Sequence, residues 1–80
     1  MNRCKTLHEA IIQVLESNNN NFMSFDEIAK EIKLQNLWRR KKDNQFPPGY
    51  QIMLRTKVQK AYKHLFIVKE DYVRLNKYNE

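Results

Sequence analysis

Eighty residues carrying 15 Lys/Arg against 9 Asp/Glu, for a net charge of +6, leave room for one domain over 1–80, with an ordered core expected at about 6–75. A chain this short buries only roughly 60% of the surface its unfolded form exposes, and with 41% hydrophobic and 30% charged residues it reads as a small folded unit rather than a disordered tail. No apolar run is longer than Leu65-Phe66-Ile67-Val68, so neither a transmembrane helix nor a secretory hydrophobic segment is expected, and the single cysteine, Cys4, permits no internal disulfide and points to a reducing compartment.

Thr6 and Glu9 have capping-box spacing, and Leu7, Ala10, Ile11, Val14 and Leu15 recur as one apolar helical face. Asn18 to Asn21 end that helix in a loop, since asparagine tolerates turn and left-handed backbone. Phe22 and Met23 fit a short extended segment. Ser24 and Glu27 repeat the capping-box spacing ahead of a second helix over about 25–33, with Phe25, Ile28, Ala29 and Ile32 inward. Leu34 to Tyr50 is a connection containing the run Arg39-Arg40-Lys41-Lys42, the turn signal Asp43-Asn44 and the breaker Pro47-Pro48-Gly49.

A third helix is expected from Gly49–Gln51 to about Lys63. Its inner face would be Leu54, Val58, Ala61 and Tyr62, and its outer face Thr56, Gln59, Lys60 and Lys63; Ile52 and Met53 fit that stripe poorly. Leu65–Val68 and Tyr72–Leu75, joined by Lys69-Glu70-Asp71, predict a hairpin, with 76–80 frayed. The order predicts a mainly α winged helix with a small C-terminal β-hairpin.

Several segments together resemble the HARE-type helix-turn-helix family: Met23-Ser24-Phe25-Asp26-Glu27-Ile28-Ala29, Leu37-Trp38-Arg39-Arg40-Lys41, Pro47-Pro48 with Gln51-Ile52 and Leu54-Arg55, and His64-Leu65-Phe66 before Val73-Arg74-Leu75. The resemblance covers roughly residues 6–75. It implies a winged helix of the kind found with restriction endonucleases, in chromatin proteins and in the delta subunit of bacterial RNA polymerase. It therefore implies nucleic-acid binding or, as in the polymerase subunit, protein binding, in a cytoplasmic or nucleoid-associated setting. Asn36 stands where a glycine is expected after the second helix, and the interval from Leu54-Arg55 to His64-Leu65-Phe66 is slightly longer than usual.

Charge supports a polyanion as ligand. Residues 1–33 hold 4 Lys/Arg against 5 Asp/Glu, and residues 34–80 hold 11 against 4. Arg39, Arg40, Lys41 and Lys42 can pair with successive phosphates, where the bland alternative is a solvated loop. Thr56, Gln59, Lys60 and Lys63 can face a groove, against the ordinary alternative of a charged outer helix side. Arg55 flanks that face and can instead lay its stem over the core.

The acidic hairpin tip, Glu70-Asp71, would repel phosphate. Trp38 reads as core or core rim. Cys4 and His8 stand four apart but have no second ligand pair, so no metal site is expected. One glycine and no nucleophile–base set point away from catalysis, cofactors and small-molecule substrates. The expected function is non-enzymatic duplex-DNA binding in a restriction-modification or transcription setting. The alternative is a protein-docking module.

Overall fold

In the computed structural model, which describes Cys4 and residues 6–76, both capping boxes are formed. The Glu9 N–H donates to Thr6 Oγ1 (3.3 Å) and the Thr6 N–H to Glu9 Oε1 (3.3 Å), starting α1 (Leu7–Ser17). The Glu27 N–H donates to Ser24 Oγ (3.1 Å) and the Ser24 N–H to Glu27 Oε1 (2.9 Å), starting α2 (Phe25–Gln35). Each pair satisfies two of the backbone donors that a helix N-terminus leaves without intrahelical partners. The helix predicted over 25–33 thus runs two residues further.

Asn36 then takes a left-handed backbone (φ 51°, ψ 48°). The Leu37 N–H returns to the Ile32 carbonyl (3.0 Å) and the Asn36 N–H to Lys33 (3.2 Å). This is a Schellman closure with asparagine in the glycine position, sealed by buried Leu37 and Ile32.

Among the described residues there are four α-helices and one three-stranded antiparallel sheet: α1, β1 (Met23–Ser24), α2, α3 (Gly49–Met53), α4 (Lys60–Lys63), β2 (Phe66–Lys69) and β3 (Tyr72–Leu75). The strand order is β1-β3-β2, with Met23 opposite Val73 and Phe66 opposite Leu75. The short extended segment predicted at 22–23 is therefore strand β1 at 23–24. The hairpin strand predicted over 65–68 runs over 66–69, leaving Glu70-Asp71 as the turn, with Glu70 at φ 55°.

The core joins Leu7, Ile11 and Leu15 of α1 to Ile28 and Ile32 of α2, Ile52 of α3 and Val73 of β3. Trp38 packs half-buried at its rim. Asn20, left-handed at φ 55°, acts as a short extra ladder. Its Nδ2 donates to the Leu75 carbonyl (3.2 Å), and the Leu75 N–H donates to its Oδ1 (2.7 Å). Asn76, expected to fray, donates its N–H to Leu65 O (2.9 Å) and its Nδ2 to His64 O (3.2 Å); the rest of the expected frayed end, 77–80, lies outside the described residues.

The third helix departs most from expectation. It is not continuous from Gly49 to Lys63. After α3 the chain winds as a π-helical segment, Leu54–Val58, breaks at Gln59 (ψ 117°), and resumes as α4. The Gln59 N–H reaches Leu54 O (3.0 Å), five residues back. A π turn takes in an extra residue relative to an α turn, and the lengthened interval noted in the sequence falls in this stretch. The burial pattern shifts with it. Ile52 and Thr56 are buried, while Val58, expected inside, is 54% exposed, and Ala61 is also exposed.

Candidate nucleic-acid interface

The connection carrying the basic run is a closed turn rather than an open loop. The Arg40 N–H donates to Gln45 O (2.9 Å), and the Asn44 N–H to Arg40 O (2.7 Å), with Asn44 left-handed at φ 59°. Across this turn the Arg40 guanidinium grips Asp43 with two bonds, Nε to Oδ1 (3.2 Å) and Nη2 to Oδ2 (2.7 Å). The Gln45 N–H also donates to Asp43 Oδ1 (3.2 Å). Slight local desolvation pushes the exposed Asp43 carboxyl up, but the Arg40 side-chain bond, the Gln45 backbone bond and the Arg40 charge outweigh it and hold the group below the ordinary aspartate value.

Arg39 is likewise engaged: its Nε donates to Asn36 Oδ1 (3.1 Å), and its guanidinium lies 4.4 Å from the Phe46 ring centroid. The four cations expected to act alike therefore divide into two pairs. Arg39 and Arg40 organise the turn, and Lys41 and Lys42 stand exposed on it.

Of the residues assigned to the outer face of the third helix, Thr56 is misplaced. It is 1% exposed, and its hydroxyl donates to the Ile52 carbonyl (2.9 Å), so it cannot reach a nucleic acid. Its neighbour Lys57 takes the outward position. Sequence phasing missed Lys57 because it set Leu54 rather than Ile52 inward; the poor fit of Ile52 to that stripe was the available signal. Gln59, Lys60 and Lys63 are exposed as expected, but Gln59 sits at the break with extended backbone, its carbonyl accepting from the N–H groups of Tyr62 (3.1 Å) and Lys63 (3.0 Å).

Tyr62 holds α4 in place. The His8 ring of α1 stacks on it at 4.3 Å with a 23° interplanar angle, and the Arg55 guanidinium lies 5.1 Å from its ring centroid. Arg55 is half-buried, with its Nε out of solvent and without a hydrogen-bond partner. Its side chain is thus held against the protein by the Tyr62 ring. With Tyr62 fixed, Lys60 and Lys63, three apart on α4, share one side of it, and exposed Lys57 and Val58 precede them. Ammonium groups in this arrangement can pair with phosphates, and an exposed valine can meet a base methyl.

Among the described residues no group of three or more His, Cys, Asp or Glu is placed to hold a metal ion. The Cys4 thiol donates to Gln13 Oε1 (3.6 Å), and burial, aided by the Glu9 charge, raises its pKa. No helix among the described residues is long and apolar enough to cross a membrane. Comparison with known protein families, curated proteins and solved structures finds no match for this chain.

Proposed function

We propose that this chain is a winged-helix-like, non-enzymatic module that binds duplex DNA, with the π–α4 segment offered to a groove and its lysines to phosphates. The observation carrying this reading is the exposure of Lys57, Lys60 and Lys63 on one short segment braced by Tyr62. Two capped helices, a broken third helical run and a three-stranded sheet closed by a C-terminal hairpin support the winged-helix reading. Lys41 and Lys42 add a second anchoring point on the latched turn. Affinity in this scheme comes from counterion release and carries little sequence information. Service in a restriction-modification or transcription system fits such a module.

Fluorescence anisotropy over a salt series, with random-sequence duplex, single-stranded DNA and RNA as separate probes, tests the reading. Salt-dependent binding that favours duplex DNA supports it. Preference for RNA or single strands, or no binding at low salt, overturns it.

A further inference from the structure

We propose that the outer face of the sheet is a docking groove for a lysine- or arginine-rich segment of a partner protein that also carries an apolar anchor. Pairing of Met23 with Val73 turns both side chains into the core, so the alternation of a strand sends Phe22, Tyr72 and Arg74 to the other side. Phe22 is 39% and Tyr72 47% exposed, and between them lies a depression of about 590 Å³.

The depression does not stand alone. Tyr72 is also a wall of a second hollow that reaches Tyr50, which is 66% exposed, past Asp26 and Asp71. Phe22 is also a wall of a third that reaches Leu34, 67% exposed, past Glu27 and Glu31. Three adjoining hollows thus link Leu34, Phe22, Tyr72 and Tyr50 into one course, with charged side chains between them. They are four of the five large hydrophobic side chains exposed among the described residues; Val58 is the other. Exposed hydrophobic side chains gathered along one course suit a partner surface, whereas scattered ones do not.

Charge identifies the occupant. Asp26, Glu27, Glu31, Glu70 and Asp71 line this course, five of the chain's 9 acidic residues. Set against them are Lys30 and Lys69 in the hollows and Arg74, whose guanidinium lies 5.2 Å from the Phe22 ring centroid. At the sheet face Lys69 and Arg74 outnumber Glu70. The net negative charge lies at the two ends of the course, Asp26 and Asp71 toward Tyr50 and Glu27 and Glu31, with Lys30, toward Leu34. The whole course has five acids to three cations on a protein of net charge +6, so an apolar anchor fits its middle and cations its ends. The acids are held in place: Glu27 belongs to a capping box, the Asp71 main-chain carbonyl accepts from the Phe25 N–H (3.1 Å), and the Asp26 carboxylate lies against Gly49. A polyanion is repelled here. Ammonium or guanidinium groups are attracted both to the carboxylates and to the tyrosine faces.

The inference is independent of nucleic-acid binding, because none of the lysines assigned to DNA lines the course. The test pans a random peptide phage library against the whole chain, synthesises the recovered peptides, and maps them by amide chemical shifts. Recovered peptides should be net positive with an aromatic or aliphatic residue, and the shifts should centre on Phe22, Glu31, Tyr50 and Tyr72. Tyr72→Ser, Leu34→Ser on α2, and the charge reversal Glu31→Lys with Glu70→Lys should each weaken binding about tenfold or more. Lys57→Ala should leave it unchanged. Neutral or acidic binders, shifts centred elsewhere, no binders, or a concentration-dependent dimer that buries Tyr72 would each overturn the proposal.

Discussion

The Thr56 hydroxyl donates to the Ile52 carbonyl one turn back, 2.9 Å away, inside the protein. A side chain that bonds the carbonyl four residues earlier competes with the helix ladder and bends the helix. Ile52 and Thr56, four apart, both point inward; beyond them the winding relaxes to the five-residue repeat closed by Gln59 and Leu54, and Lys57 stands outward.

This rotation predicts a specific ranking of stabilities. Ile52→Ala should cost about 2–5 kcal/mol, because a fully buried aliphatic side chain leaves a cavity. Thr56→Val should cost about 1 kcal/mol for the missing hydroxyl bond. Val58→Ala should change stability by less than about 0.5 kcal/mol, because the residue lies largely in solvent. Urea unfolding of the three variants checks the order. A Val58→Ala destabilisation equal to that of Ile52→Ala would restore the unbroken helix.

Asn20 yields a second prediction. Asn20→Gly keeps the left-handed backbone but removes both bonds to Leu75, so it should cost about 1–3 kcal/mol and speed hydrogen exchange at the Leu75 amide. Asn20→Asp retains the acceptor for the Leu75 N–H and should cost less. Unchanged Leu75 protection in Asn20→Gly would remove the ladder.

These two cases show what the sequence could disclose. Capping-box spacing and apolar periodicity placed α1 and α2, since those signals are local and each is met by residues three or four apart. Alternation placed the hairpin to within one residue, and the left-handed role of Asn36 followed from its side chain. The third helix was misread because Leu54 rather than Ile52 was set inward, and because Thr56, buried with its hydroxyl bonded to the Ile52 carbonyl, reads in the sequence as a surface residue. The division within the basic run was hidden for a related reason: four adjacent cations look equivalent until the turn brings Arg40 onto Asp43 and Arg39 onto Phe46. The acidic aromatic course joins residues far apart in the chain, and no local pattern announces it.

Gly49 begins α3 where a side chain would collide with the Asp26 carboxylate. Alanine in place of glycine at a compatible backbone position ordinarily gains about 0.4–1 kcal/mol, by narrowing the unfolded ensemble. Gly49→Ala should therefore be neutral or destabilising in the native chain and stabilising once Asp26→Ala has cleared the space. Thermal unfolding of the double-mutant cycle measures the coupling. Identical effects of Gly49→Ala in both backgrounds would show that Asp26 does not set the approach of α3 to α2.

The Arg40–Asp43 latch predicts a pH response. Because the folded carboxyl titrates below its ordinary value, the latch contributes fully above the unfolded pKa, and that contribution disappears as pH falls through the lowered folded value. Carboxyl carbon NMR should give Asp43 a midpoint below that of an ordinary aspartate, and Arg40→Gln should move it upward. An Asp43 midpoint at or above the ordinary value would dissolve the latch.

The most direct measurement of the central claim is the slope of log affinity against log salt for duplex DNA, compared between the native chain and the Lys57→Ala, Lys60→Ala, Lys63→Ala triple variant. The slope should become shallower by roughly 0.9 for each phosphate left without its lysine, up to about 2.7 for all three. The melting temperature should stay nearly unchanged, since all three side chains are exposed. An unaltered slope in the triple variant, with the native chain binding duplex, would contradict the assignment of these lysines to the interface.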